Sequence, residues 1–215
     1  MRNDVVARRT DLKTGRWVEI VRDLYLDEHP LRDWDWNGTI TLITPFKGYG
    51  SDDEHDLNDE KFLKYLRAVR IFGGVVIPVY YLEHSGLTFK SGRFNDPWDS
   101  GWAGCAWMTP EQVREKHGGD KKAAIAHLEA MIRLMDARAQ NECYGLRAYG
   151  SDGEELCSCY GFWNTYPTWQ ELMEAMAEHV SDDFADMIRD CSCGDIDPLD
   201  VMPARYFVPG FAPAV

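Results

Sequence analysis

Apolar and polar residues alternate from Trp17 to Leu26, and a β-branched run fills Thr39 to Thr44. Both patterns predict strands, because successive strand side chains point to opposite faces. From about 58 to 72 the period changes: Phe62, Leu63, Leu66 and Val69 recur at helical spacing, and Gly73-Gly74 ends the predicted helix. Val75 to Leu82 predicts a central strand delivering Glu83-His84 at its end, and Trp102 to Met108 predicts another. Thr109, Pro110 and Gln112 spell a capping box with proline at the first helical position. That helix stops at Gly118-Gly119, and a longer one, from about 120 to 140, carries Ile125, Leu128, Ile132 and Met135 as one apolar stripe. Tyr144 to Tyr149 and Glu155 to Trp163 predict strands joined by Gly-Ser-Asp-Gly. Thr168 and Glu171 form a second capping box, opening a helical region to about Asp190 that either continues through Ser181 or breaks there.

Strands and helices mixed without regular βαβ alternation predict an α+β fold, a mainly antiparallel sheet with helices packed on it. The expected organisation is a single domain over 1–200 with an acidic helical region at 168–190, followed by an extended Pro-rich tail at 201–215.

Composition narrows the function classes. With 45% hydrophobic residues and eight tryptophans the 215-residue chain has ample material for a core, which excludes wholesale disorder. No apolar run approaches the roughly 20 residues of a membrane span, and the basic N-terminus lacks the apolar segment of a secretory signal. A cytoplasmic location is expected. The net charge of −13 argues against direct binding of nucleic acid or of anionic membranes. Residues 1–60 carry 8 basic and 14 acidic groups, residues 61–140 carry 12 and 8, and residues 141–215 carry 3 and 14, so the acidity gathers towards the C-terminal end. The six cysteines are expected to be reduced, small buried residues. A zinc site from Cys157, Cys159, Cys191 and Cys193 is the alternative, although ligands two apart are closer than structural zinc pairs usually stand.

Residues 80–104 do not read as packing. Here a predicted strand end is followed by a Gly-rich loop containing His84, Asp96, Trp98, Asp99 and Ser100, the kind of segment that presents polar chemistry. His84, Asp99 and Ser100 are candidates for base, orienting acid and nucleophile. His84, Asp96 and Asp99 suit a divalent metal. The structural alternative is a turn in which the Asp and Ser side chains bond the local backbone while Trp98 pins the loop to the core. A third reading has Trp98, Trp102 and Trp107 lining a pocket near His84 that sequesters a small molecule.

The stretches His84-Ser85-Gly86-Leu87-Thr88-Phe89, Phe94-Asn95-Asp96-Pro97-Trp98-Asp99-Ser100-Gly101-Trp102-Ala103-Gly104 and Cys159-Tyr160-Gly161-Phe162-Trp163 resemble motifs of a group of uncharacterised proteins of bacteriophages and integrated mobile elements. The resemblance covers about residues 75–163. Asp96 stands where that group has a cysteine before the proline, so no thiol chemistry is implied. What the resemblance implies is a setting: a small accessory protein acting on host machinery or on a host defence system.

Glu171, Glu174, Glu178, Asp182, Asp186 and Asp190 recur every three or four residues, opposite Leu172, Met173, Met176, Val180, Phe184 and Met187. On one continuous helix they would form a row of carboxylates rising about 4.5 to 6 Å apart. Such a row resembles a nucleic-acid backbone. Like charges at this spacing repel, and Arg189 is the one basic residue among them. An ordinary solvated face is the simpler reading. The functional one is an inhibitor that docks this stripe, with Trp98 as a further contact, on the basic surface of a host protein. A hydrolase or metal-dependent enzyme at His84, Asp99 and Ser100 is the rival.

Overall fold

The computed structural model describes residues 5–23, 29–33, 36 and 38–191. Along the chain run β1 (Val5–Thr10), β2 (Trp17–Arg22), α1 (Pro30–Asp33), β3 (Thr39–Leu42), a 3-10 turn (Phe46–Tyr49), α2 (Glu60–Ile71), β4 (Val75–Glu83) and β5 (Leu87–Lys90). They continue with β6 (Ser100–Met108), α3 (Pro110–His117), α4 (Lys121–Ala139), β7 (Cys143–Tyr149), β8 (Glu155–Trp163), α5 (Trp169–Ala177) and α6 (Asp182–Arg189). The fold is α+β, with two four-stranded antiparallel sheets ordered β1-β2-β7-β8 and β3-β6-β4-β5. Among the described residues no helix is long and apolar enough to cross a membrane.

The chain divides into two compact units, Met1–Tyr25 with Cys143–Val215, and Leu26–Glu142. In the first, the meander β1-β2-β7-β8 lays Ala7, Val18, Ile20, Tyr144, Leu146 and Ala148 against Leu172, Met173 and Met176 of α5 and Phe184, Ala185 and Ile188 of α6. The predicted apolar side of the acidic region therefore faces the sheet.

In the second unit, adjacent residues of β6 serve opposite faces of the sheet, as strand geometry requires. Cys105 and Trp107 pack with Phe62 and Leu66 of α2, while Met108 shares the surroundings of Gly38 with Leu128 and Met131 of α4. Asp136 of α4 accepts the Phe89 N–H at 2.7 Å, tying the helix to β5. Gly104 permits β3 to approach β6: its φ is +154°, and a Cβ there would lie 2.2 Å from the Thr41 carbonyl oxygen.

Several boundaries depart from the sequence reading. β1 was not legible, because Val5–Thr10 lacks alternation and is an edge strand defined by its pairing with β2. Leu87–Lys90, inside the presumed loop, pairs with β4 residues Tyr80–Glu83 as β5. The acidic helical region breaks into α5 and α6, with Ser181 in an extended conformation at φ −68° and ψ 155° as the N-cap of α6. The predicted tail at 201–215, the end of the first predicted strand and Cys193 lie outside the described residues.

Candidate functional sites

The hairpin between β4 and β5 turns on Ser85, at φ +60°, and Gly86, whose carbonyl accepts the His84 N–H at 3.1 Å. Opposite, Leu82 pairs with Ser100 and the Glu83 N–H donates to the Asp99 carbonyl at 2.8 Å. The sheet thereby sets Asp99 beside His84, whose Nδ1 lies 2.8 Å from Asp99 Oδ2. Asp96 joins them: one ligand atom from each of His84, Asp96 and Asp99 falls within 4.8 Å of the others. The hydrogen bond and the charge of Asp99 raise the His84 pKa above its ordinary value. Asp96 is held below the usual carboxylate range by the amides of Asp99 and Trp98, which donate to its Oδ1 at 3.0 and 2.9 Å.

Ser100 completes no triad in this arrangement. Its hydroxyl donates to the Asp96 carbonyl oxygen rather than to His84. Trp98 is 91% exposed, so it does not pin the loop to the core. Nor do the three tryptophans share a pocket, because Trp107 is buried against α2, with Phe62 and Tyr65 at its ring.

Four acids of the predicted stripe divide between the helices: Glu171 and Glu174 lie on α5, Asp182 and Asp186 on α6. Glu178 and Asp190 form the two C-caps. All six are exposed. Arg189 bridges the helices, donating to Glu174 at 2.9 Å and to Asp186 at 3.0 Å. Asp190 lies 3.7 Å from Arg9, and Asp183 3.0 Å from Arg16. Glu171, Glu178 and Asp182 have no ion-pair partner among the described residues.

Cys157 and Cys159 occupy alternate positions of β8, as expected, and both are half-buried. Cys191 is buried, its thiol pushed up to about 12 by desolvation and donating to the Met187 carbonyl. Among the described residues these cysteines form no ligand cluster.

One constellation went unread in the sequence. Asp52 is 7% exposed and accepts hydrogen bonds from the Thr41 hydroxyl, from the Glu54 and His55 amides, and from His55 Nδ1 at 2.9 Å. Its segment, Ser-Asp-Asp-Glu-His-Asp, has the composition of an acidic surface loop. The local signal available was a single histidine three residues after an aspartate. No family model, curated protein or solved structure matches the chain.

Proposed function

We propose that the protein acts by binding: the α5–α6 hairpin docks its carboxylates on a basic surface that otherwise holds nucleic-acid phosphates. The observation that carries this reading is the exposure of Glu171, Glu178 and Asp182 without ion-pair partners among the described residues, on a hairpin whose other carboxylates outnumber its one arginine. A surface of unbalanced charge steers association and makes it sensitive to salt. The motif resemblance supports a phage or mobile-element setting, hence a cytoplasmic accessory protein whose partner is a host nucleic-acid-handling or defence protein. The break at Ser181 alters the docking geometry, because the carboxylates are presented by two short helices instead of one straight row.

The test is capture from bacterial lysate by the tagged protein at low and high salt, beside the triple variant E171Q/E178Q/D182N. These three positions are chosen because Glu174 and Asp186 also hold Arg189. The expected result is a nucleic-acid-binding protein retained at low salt, released at high salt and depleted about tenfold or more by the triple variant. Retention unchanged in the variant, or no retained protein, rejects the reading.

A second reading rests on the convergence of His84, Asp96 and Asp99: a divalent-cation site, with imidazole and two carboxylates as the donor set. It is favoured over a serine hydrolase because Ser100 donates elsewhere. Calorimetric titration with Zn²⁺ or Mn²⁺ should show one equivalent bound, lost in H84A and in D96N. Absence of binding by the wild-type protein eliminates it.

A further inference from the structure

After β3 the chain returns along the same strand. The amides of Ser51 and Asp52 donate to the Ile40 carbonyl at 3.1 and 3.2 Å, and the Ile40 N–H donates to Ser51 Oγ at 2.9 Å. This holds Asp52 beside Thr41, its partner in an isolated parallel bridge. A relay follows: Trp107 Nε1–H donates to Thr41 Oγ1 at 3.1 Å, and the Thr41 hydroxyl donates to Asp52 Oδ2. The same carboxylate oxygen faces His55 Nδ1.

Burial alone would raise the Asp52 pKa. The hydrogen bonds from Thr41, His55 and Glu54 outweigh that and hold it below the ordinary range. An ionised carboxylate only accepts, so Nδ1 of His55 carries the shared proton, and whenever the imidazole is neutral its lone pair lies on Nε2. Nε2 has no hydrogen-bond partner among the described residues. The ring is fixed by stacking on Phe62, with centroids 4.3 Å apart and planes 23° apart, and by the edge of Trp107.

His55 borders a cleft of about 820 Å³, whose lining also includes Trp36, Ser51, Glu54 and Trp107. Arg32 is a cation of this lining, but both its terminal nitrogens contact the Asp53 carboxylate, at 2.7 and 2.8 Å. With that charge balanced, the remaining charged side chains of the lining among the described residues, Asp33, Asp52 and Glu54, are acidic, which disfavours phosphates and carboxylates. An oriented base, a free lone pair and a cleft of ligand size occur together here.

We propose that His55, positioned by Asp52, is the general base of an acyl-hydrolysing site for neutral or cationic esters. In the step, Nε2 takes a proton from water as the water oxygen bonds to the acyl carbon. Collapse of the tetrahedral adduct breaks the ester bond, and the leaving alcohol receives the proton from the imidazolium. Asp52 does not touch the substrate; it fixes the tautomer and stabilises the imidazolium. This site is independent of the acidic hairpin and of His84.

The probe is p-nitrophenyl acetate, with the anionic p-nitrophenyl hemisuccinate for comparison. Hydrolysis by the wild-type protein should exceed that by an equal concentration of imidazole and fall about a hundredfold in H55Q. D52N should lower kcat about tenfold or more with KM little changed, and ¹⁵N shifts of the His55 ring should show loss of the Nδ1–H tautomer. The half-exposed His55 makes H55Q the variant that keeps its fold, which near-UV circular dichroism checks. A wild-type rate no greater than that of imidazole, or a rate unchanged in folded H55Q, overturns the proposal. Equal turnover of the anionic ester overturns the substrate class.

Discussion

At the scale of single residues, the two histidine–aspartate pairs differ in burial. His84 and Asp99 are 67% and 43% exposed at their side chains, so their attraction is screened by water. Its consequence is still measurable in titration. The folded-state pKa of His84 is raised by the Asp99 hydrogen bond and charge, with a smaller contribution from Asp96. The pair's stabilisation is therefore fully present below the unfolded histidine value, about 6.5, and is lost as pH rises through the folded midpoint. NMR titration should place the His84 midpoint above about 6.5 and return it towards that value in D99N. A midpoint unmoved by D99N would remove the Asp99 contact from the account. At Asp52, by contrast, one carboxylate is buried and has partners on β3 and within its own loop, which makes it an orienting group.

At the scale of elements, local signals were legible where the chain's neighbours in sequence are also its partners. The Thr109 capping box is present in both halves: Thr109 Oγ1 accepts the Gln112 N–H, and Gln112 Oε1 accepts the Thr109 N–H. Asp59 and Asp120 likewise cap α2 and α4. The acidic stripe was only half legible, because carboxylates three and four apart fit one helix or two in succession. What decides is Ser181 followed by Asp182 and Asp183, an N-cap and two acids in a first turn, where the helix dipole favours negative charge. β5 was hidden because four residues between glycine-containing turns acquire strand character only from pairing with β4. The Asp52–His55 pair depends on Thr41 and Trp107, respectively 11 and 66 positions from its hydrogen-bonding partner in the relay. Spacing within the loop carries no trace of that relay.

At the scale of the whole molecule, Leu26–Glu142 interrupts the other unit at a particular place in its sheet. Arg22 of β2 stands opposite Tyr144 of β7, and the Asp23 N–H donates to the Cys143 carbonyl at 2.8 Å. Opposed residues of an antiparallel pair lie about 5 Å apart, so the two crossing points of the chain are positioned as the ends of a β-hairpin. A two-residue Asn-Gly turn spans such a gap with the twist that flanking strands require. Replacing residues 24–142 by Asn-Gly should leave β1-β2-β7-β8 and the α5–α6 layer intact, because the buried cluster from Ala7 to Cys191 belongs entirely to that unit. Roughly 100 residues would remain, enough for an independent core. The expected outcome is a folded α+β circular dichroism spectrum and one cooperative urea transition; a chain without a transition would show that the insert is required for this unit to fold. Outside the insert the chain carries 9 basic and 17 acidic residues, against 14 and 19 within it, so the shortened protein keeps the charge imbalance. If the acidic hairpin is the docking element, this variant should also retain salt-sensitive capture of the same partner while losing the Asp52–His55 cleft and its ester hydrolysis.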